Sequence, residues 1–284
     1  MSAREPATIQ PLTWRRLLAG VVLLAALTAI LQGRSVGHGL MLDDFNHRAE
    51  LRDGDWSFRS LVNASHLGDP RRRVQMWWQK EADLYFFRPV AFACLRATYM
   101  LGGWRPEAAH IASLAWGVVC ASLVFVLGWR STGRFGWGLL AAVLFLLHPN
   151  NSGTPRWIAC QNEQMATAFT LAALLAYGRG AGWWSEGNVK FEMLNVKLKS
   201  ARGGSLGWFG LTVGCYVAAL GCRESAILMP LMFIVGDLVH RAGRAGRRDW
   251  VRMVSPYALF AAIALVYLLV RYHMLGPATI PGRP

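Results

Sequence analysis

Charge is what this 284-residue chain has least of. Only 16% of its residues are Asp, Glu, Lys or Arg and 54% are apolar, whereas soluble domains average roughly 25% charged and about 45–50% apolar. That shortage, with a mean hydropathy of +0.28, excludes an ordinary soluble domain and points to an integral membrane protein. Acids are scarcer still, 16 against 30 basic residues, and only Lys80, Lys190, Lys197 and Lys199 are lysines, so arginine carries the net +14. No basic stretch has the periodicity of a recognition helix or a known binding motif, which removes nucleic acid as the partner. The five cysteines (Cys94, Cys120, Cys160, Cys215, Cys222) show no CxxC or other metal-ligand spacing. Most lie in apolar runs, where cysteine behaves as a small hydrophobe, so neither a zinc site nor another metal or cofactor is expected. No small-residue cleavage site follows Arg15-Arg16 and the first apolar run, which is therefore a retained helix rather than a signal peptide. Internal repeats are also lacking, which argues against the pseudo-symmetric halves common in transporters.

What the chain does have is seven apolar runs, predicted as membrane-spanning helices: Trp14–Gln32, 108–129, 135–148, 155–177, 206–221, 225–239 and 254–272. A bilayer core takes about 20 helical residues. The third, fifth and sixth runs are short of that and need their ends shielded by protein or opened onto a wet cavity. The short basic loops, 130–134, 179–205 and 240–252, all fall on one side. The last holds Arg241, Arg244, Arg247, Arg248 and Arg252 against Asp237 and Asp249. The positive-inside rule then sets the N-terminus in the cytoplasm and the C-terminus outside. Arginine bias with abundant Gly and Ala reads as a GC-rich bacterial genome, and hence a multi-pass protein of a bacterial inner membrane. The first external loop, about 33–107, carries most of the acids together with Arg71-Arg72-Arg73. Its aromatic patterning (Trp56, Met76-Trp77-Trp78, Tyr85-Phe86-Phe87) suits helices lying at the membrane interface, and the apolar stretch 88–101, interrupted by Arg96, is expected to be interfacial too. The expected fold is all-α: a polytopic membrane helical bundle over 1–272, followed by an external tail, 273–284.

The notable polar groups all fall on the external side of this topology. Asp43 and Asp44 follow the first span almost directly. Adjacent carboxylates favour different protonation states, which poises one as a general base and leaves the other to orient it; a solvated turn is the plainer reading. Arg88, in Tyr85-Phe86-Phe87-Arg88-Pro89, is partly desolvated by aromatic bulk and suited to grip a phosphate, unless it only snorkels to lipid headgroups. His148-Pro149 closes the third span. Beyond it, Pro155 at the first helical position and Thr154 as N-cap predict a helix running to Tyr177. Arg156, Cys160, Glu163 and Thr167 would share one face of that helix and imply a wet cavity; a structural Arg156–Glu163 pair is the alternative. Arg223-Glu224 are the only charges between Gly207 and Gly236, either site residues or an ion pair stitching a hairpin.

Taken in order, these features resemble the GT-C superfamily of polytopic glycosyltransferases over nearly the whole chain. They are a first helix, an Asp-Asp pair, an aromatic-Arg-Pro motif, a helix ending in His-Pro, a Trp- and Glu-bearing helix and a basic-Glu pair. The pattern is closest to the protein O-mannosyltransferases, their TPR-bearing transmembrane relatives and the bacterial lipid A aminoarabinose transferases. The resemblance implies transfer of a sugar from a polyprenyl- or dolichyl-phosphate carrier to a protein, lipid or glycan acceptor outside the cytoplasm. It implies Asp43 or Asp44 as the base and Arg88 as a phosphate contact, with His148, Glu163, Arg223 and Glu224 carried over only by the surroundings of their motifs. Three departures stand out: the chain stops after the seventh span, short of the family pattern; Gln161-Asn162 stands where relatives often have a basic residue; and the loop 187–200 is rich in lysine. A non-catalytic multi-pass protein, either a scaffold that binds the lipid carrier or a transporter, is the competing expectation.

Overall fold

The protein, analysed as a computed structural model, is described over residues 13–67, 84–184, 203–241 and 247–275. Arg71–Arg73, Met76-Trp77-Trp78, the stretch 187–200, Arg244 and residues 276–284 lie outside the described residues. Eleven helices make up nearly all of the described structure. They are α1 Trp14–Gln32, α2 Asp44–Asp53, α3 Phe58–Asn63, α4 Pro89–Leu101, α5 Pro106–Thr132, α6 Phe135–Leu147, α7 Pro149–Gly153, α8 Gln161–Gly180, α9 Gly203–Leu220, α10 Met229–Arg241 and α11 Arg247–Leu275. A two-residue antiparallel ladder, β1 His66–Leu67 with β2 Leu84–Tyr85, closes the first loop.

Five of the seven apolar runs are largely covered by a single helix, whereas 155–177 and 225–239 open as 3-10 turns before α8 and α10. Among the described residues, three helical stretches are long and apolar enough to cross a membrane: Trp14–Gly37, Pro106–Thr132 and Pro256–Leu275. Their outward faces carry exposed apolar side chains such as Val22, Ile30, Ile111, Leu265 and Leu269. Polar side chains instead point inward, with Ser113, Gln161 and Gln164 buried between helices. Ser113 donates to Gln164 Oε1 at 2.9 Å and Gln161 Nε2 to Ala109 O at 2.6 Å. Such an apolar-out, hydrogen-bonded-in arrangement is what a hydrocarbon solvent selects.

Small residues set the helix packing. Gly133, with φ 69°, ends α5 in the left-handed conformation that glycine adopts without strain, and its N–H caps Trp129 O. The chain returns at once as α6, and Gly138 lies so close to α5 that an added Cβ would sit 2.6 Å from Phe125 O. Alanine-rich α8 runs through the middle, touching α4, α5, α9 and α10. Where α8, α9, α10 and α11 meet, an aromatic core forms: Tyr177 stacks on Phe233 at 4.4 Å and Tyr216 meets Phe260 edge-on at 5.6 Å.

The segment α2 to α4 sits at the end of the bundle that carries the Asp43-Asp44 pair. Arg96, the charge that interrupts the apolar α4, is 8% exposed; it donates to Leu51 O and, at 2.7 Å, to Gly54 O. The guanidinium thus satisfies the open carbonyls at the C-terminus of α2, where the helix dipole favours a cation. The other end of α4 docks on α9: Val90 N–H and Ala91 N–H reach Gly221 O at 2.9 and 3.3 Å. A Cβ on Gly221 would run into the Val90 side chain. Gly221→Val should therefore lower the thermal midpoint of the detergent-solubilised protein, at a cost of about 1–3 kcal/mol from overpacking; an unchanged midpoint would show that this contact yields freely.

Asp237 departs from the sequence expectation. In sequence it stands among the charges flanking a basic loop, yet it is fully buried in α10 and accepts from Trp183 Nε1 at 2.7 Å, Tyr177 OH at 2.8 Å and Tyr257 OH at 2.9 Å. Its carboxylate joins α8, α10, α11 and the 181–184 turn.

Candidate functional site

The two acids are aimed by the backbone before them. Leu42 adopts φ 48°, a left-handed conformation that costs energy for a bulky residue. The chain then turns into α2 with Asp43 at its N-cap position and Asp44 in its first turn.

The acids do different things. Asp44 is 1% exposed and its carboxylate takes the N–H groups of Ala159 at 2.7 Å, Met41 at 3.0 Å and Ile158 at 3.3 Å. Desolvation lifts its pKa and the negative charge of Asp43 adds to that; the backbone N–H bonds oppose it without cancelling it. Asp43 keeps a fifth of its side-chain surface open. Its Oδ1 accepts from Trp157 Nε1 at 2.7 Å, and its Oδ2 lies 3.4 Å from His47 Nε2. Desolvation raises its pKa, but the hydrogen bond and charge of His47 and the indole N–H of Trp157 outweigh it, so the group stays below its usual value. His47 is held from behind: Nδ1 is 2.8 Å from Ala64 O, which can only accept, so Nδ1 carries a hydrogen and Nε2 faces the acid. The two carboxylates tend opposite ways, Asp44 raised chiefly by desolvation and Asp43 lowered by His47 and Trp157. Access then decides between them: the carboxylate that can reach another molecule is Asp43.

This grip explains a difference downstream. The continuous helix expected from Pro155 is broken: residues 154–156 and 158–160 are separate 3-10 turns about an extended Trp157, and α8 begins at Gln161. Asp43 holds the Trp157 indole and Asp44 the next two N–H groups, which pulls 157–159 out of helical register. Thr154 is not the N-cap; its hydroxyl donates to Asn150 O at 2.7 Å. Arg156 consequently leaves the predicted face and is exposed, and so is His148. Glu163 and Thr167 keep that face and line a polar cavity of about 50 Å³.

Arg223 and Glu224 do not pair with each other. Arg223 forms an ion pair with Glu163 of α8. Glu224 Oε2 accepts from Nε and Nη2 of Arg88, both at 3.3 Å, while its Oε1 takes Phe87 N–H at 3.4 Å. Arg88 also stacks its guanidinium 4.2 Å from the Phe86 ring centre. Six of the eight expected residues are thereby gathered. Asp43 and Asp44 hold 157–159 just before α8, Arg223 reaches Glu163 in its first turn, and Tyr267 of α11 meets Phe87, the neighbour of Arg88, edge-on at 5.6 Å. Consecutive Arg223 and Glu224 link the two groups; the side chains of Arg156 and His148 stand outside this network.

Comparison with protein-family models, curated proteins and solved structures finds no match. The site therefore rests on its own geometry.

Four residues of that geometry were not singled out from the sequence: His47, Trp157, Tyr267 and Arg271. His47 had a local signal, since it lies one helical turn after Asp43. Tyr267 and Arg271 have the same i, i+4 spacing near the end of an apolar run, which puts a hydroxyl and a guanidinium on one face. Both are partly or fully buried, and Tyr267 OH and Arg271 Nε have no hydrogen-bond partner. Trp157 entered only as the Trp of the Trp- and Glu-bearing helix, and one Trp among thirteen gives no sign of which acid it will meet.

Proposed function

We infer that this chain is a multi-pass membrane glycosyltransferase that moves a sugar from a polyprenyl- or dolichyl-phosphate carrier to an acceptor hydroxyl outside the cytoplasm. The carrying observation is an accessible, His-supported carboxylate together with half-buried cations and an unsatisfied hydroxyl, joined through the Arg223–Glu163 and Arg88–Glu224 ion pairs. Asp43, backed by His47 and Trp157, supplies the base; Arg88, Arg271 and Tyr267 supply the groups for a phosphate. In this reading the acceptor oxygen attacks C1 of the sugar as Asp43 takes its proton, and the C1–O bond to phosphate breaks with its electron pair leaving on the phosphate. Phosphate needs little acid assistance as a leaving group, so holding its charge and positioning the acceptor are what the protein has to supply. The seven helices cross the membrane with the N-terminus inside, the shorter ones shielded by neighbours, and the acceptor is a protein, lipid or glycan hydroxyl.

A specific observation favours the competing reading of a non-catalytic, carrier-binding scaffold. Arg88 and Arg223 are both engaged by acids, Glu224 and Glu163. Proteoliposomes carrying the purified protein, polyprenyl-phosphate sugars labelled in the sugar, and mixed peptide and glycan acceptors separate the two. Transfer requires protein-dependent release of free polyprenyl phosphate, and a scaffold binds the carrier without releasing it. Arg271→Gln should raise KM for the carrier roughly 10-fold with kcat little changed, the mark of lost ground-state phosphate binding. Wild-type KM in this variant would remove Arg271 from the phosphate subsite.

A further inference from the structure

The polar cavity beside Glu163 has a chemistry of its own. Gln32 closes α1, Asn151 lies in α7, Gly117 is in the middle of α5, and Glu163, Gln164 and Thr167 come from α8. Its open side is at Glu163, which is 45% exposed; its inner end is buried, with Gln32 7% and Gln164 9% exposed. Most of its polar atoms are already committed. Gln164 Oε1 accepts from Ser113, Asn151 Nδ2 donates to Phe145 O at 2.7 Å, and Gln32 Nε2 reaches Asn151 O at 3.5 Å. Gln32 Oε1 is buried without a partner. The missing side chain of Gly117 leaves the space in front of it: a Cβ built there would lie 3.6 Å from Gln164 Nε2 and 3.9 Å from Gln32 Oε1. An amide donor and an orphaned carbonyl acceptor thus face one gap.

A hydroxyl is the group that both donates and accepts at one atom, and a buried acceptor left empty costs free energy. The lining is neutral apart from Glu163, which suits an uncharged guest. At about 50 Å³ the cavity has room for a hydroxymethyl group or a few waters, each of which needs about 10–15 Å³ on this measure. We propose that this chamber, closed by Gln32, Gly117 and Gln164, receives the exocyclic hydroxymethyl arm of a hexose and so selects the sugar that is transferred. The inference rests on the glycosyl-transfer reading and adds the sugar class: hexose rather than pentose. The ring itself stays at the mouth, near Glu163.

Gly117→Ala tests it, because the added methyl meets its neighbours at ordinary contact distances of 3.6–4.0 Å and fills the gap without forcing the helices apart. In proteoliposomes, kcat/KM for a polyprenyl-phosphate hexose should fall about 10–100-fold while that for the matching pentose donor changes less than about twofold. An unchanged hexose-to-pentose ratio overturns the proposal and leaves the chamber to water. Gln32→Leu, which removes the orphaned acceptor but keeps the volume, should move the ratio the same way and serves if Gly117→Ala fails to fold. If the wild type releases carrier phosphate from neither donor, the transfer reading falls, and binding of methyl hexopyranoside against methyl pentopyranoside, followed by saturation-transfer NMR, decides the chamber alone. Preference for the hexoside that Gly117→Ala abolishes sustains it; equal binding in both proteins overturns it.

Discussion

Asp43→Asn is expected to abolish sugar transfer, lowering kcat by roughly 10²–10⁴-fold, the usual contribution of a general base, while the protein stays folded. Asp44→Asn is expected to do the opposite: residual turnover per folded molecule, but a lower thermal midpoint. The difference follows from what each carboxylate touches. Asp43 is bonded to two side chains and remains open; Asp44 is closed and holds three backbone N–H groups. An amide at 44 turns an NH2 toward N–H donors, and each donor left buried and unsatisfied costs about 1–3 kcal/mol. Carrier-phosphate release and thermal unfolding, measured on both variants, check the assignment. Full activity in both single variants and in the double variant would sink the base altogether.

The pH profile carries the same assignment. Asp43 sits below the usual carboxylate value because the bond and charge from His47 outweigh its desolvation. Its basic form therefore persists through the neutral range, and kcat/KM falls only as pH drops below the ordinary carboxylate region. His47→Gln removes the imidazole's charge and leaves the desolvation and the Trp157 bond, so the acidic limb should move to higher pH. A limb that stays in place in His47→Gln would mean that the titrating base is not Asp43.

How much of this could be read from the chain depends on the range of the interaction. The helices could be, because apolar runs of the observed lengths have few other folds available in a membrane. So could the polar face of α8 from Glu163 to Thr167, since helical spacing brings i and i+4 together without help from the rest of the fold. The partners could not. Glu224 reaches Arg88 across 136 positions rather than its neighbour Arg223, and Asp44 takes N–H groups 114 and 115 residues ahead. Those distant bonds also undo a local signal: Thr154-Pro155 reads as a helix start, and the acids' hold on 157–159 moves the start to Gln161. Arg156 is carried off the predicted face as a result. Asp237 shows the same limit from the other side, because nothing in its neighbourhood in sequence announces the two tyrosines and the tryptophan that enclose it.

Asp237 gives the largest expected effect on stability. It lies at the end of the bundle away from Asp43: Tyr177, which it holds, is fourteen positions after Glu163 on α8, about 21 Å at 1.5 Å per residue. Asp237→Leu leaves the donors of Tyr177, Tyr257 and Trp183 facing an apolar side chain in a fully buried place. Each donor left buried and unsatisfied costs about 1–3 kcal/mol, so the variant should show a sharply lower thermal midpoint in detergent and a poor yield of folded protein. Transfer per folded molecule should be little changed, because Tyr177, Trp183 and Tyr257, which the carboxylate holds, lie away from Asp43. Part of that cost arises from stranded donors, and that part can be measured. Replacing the donors as well, as in Asp237→Leu with Tyr177→Phe and Tyr257→Phe, should recover part of the loss, since exchanging both sides of a buried hydrogen bond for apolar groups is far cheaper than exchanging one. If the triple variant is instead less stable than Asp237→Leu by the sum of the two tyrosine substitutions, the carboxylate and the tyrosines do not act as one network, and the joining of α8, α10 and α11 rests on the Tyr177–Phe233–Phe260 ring contacts alone.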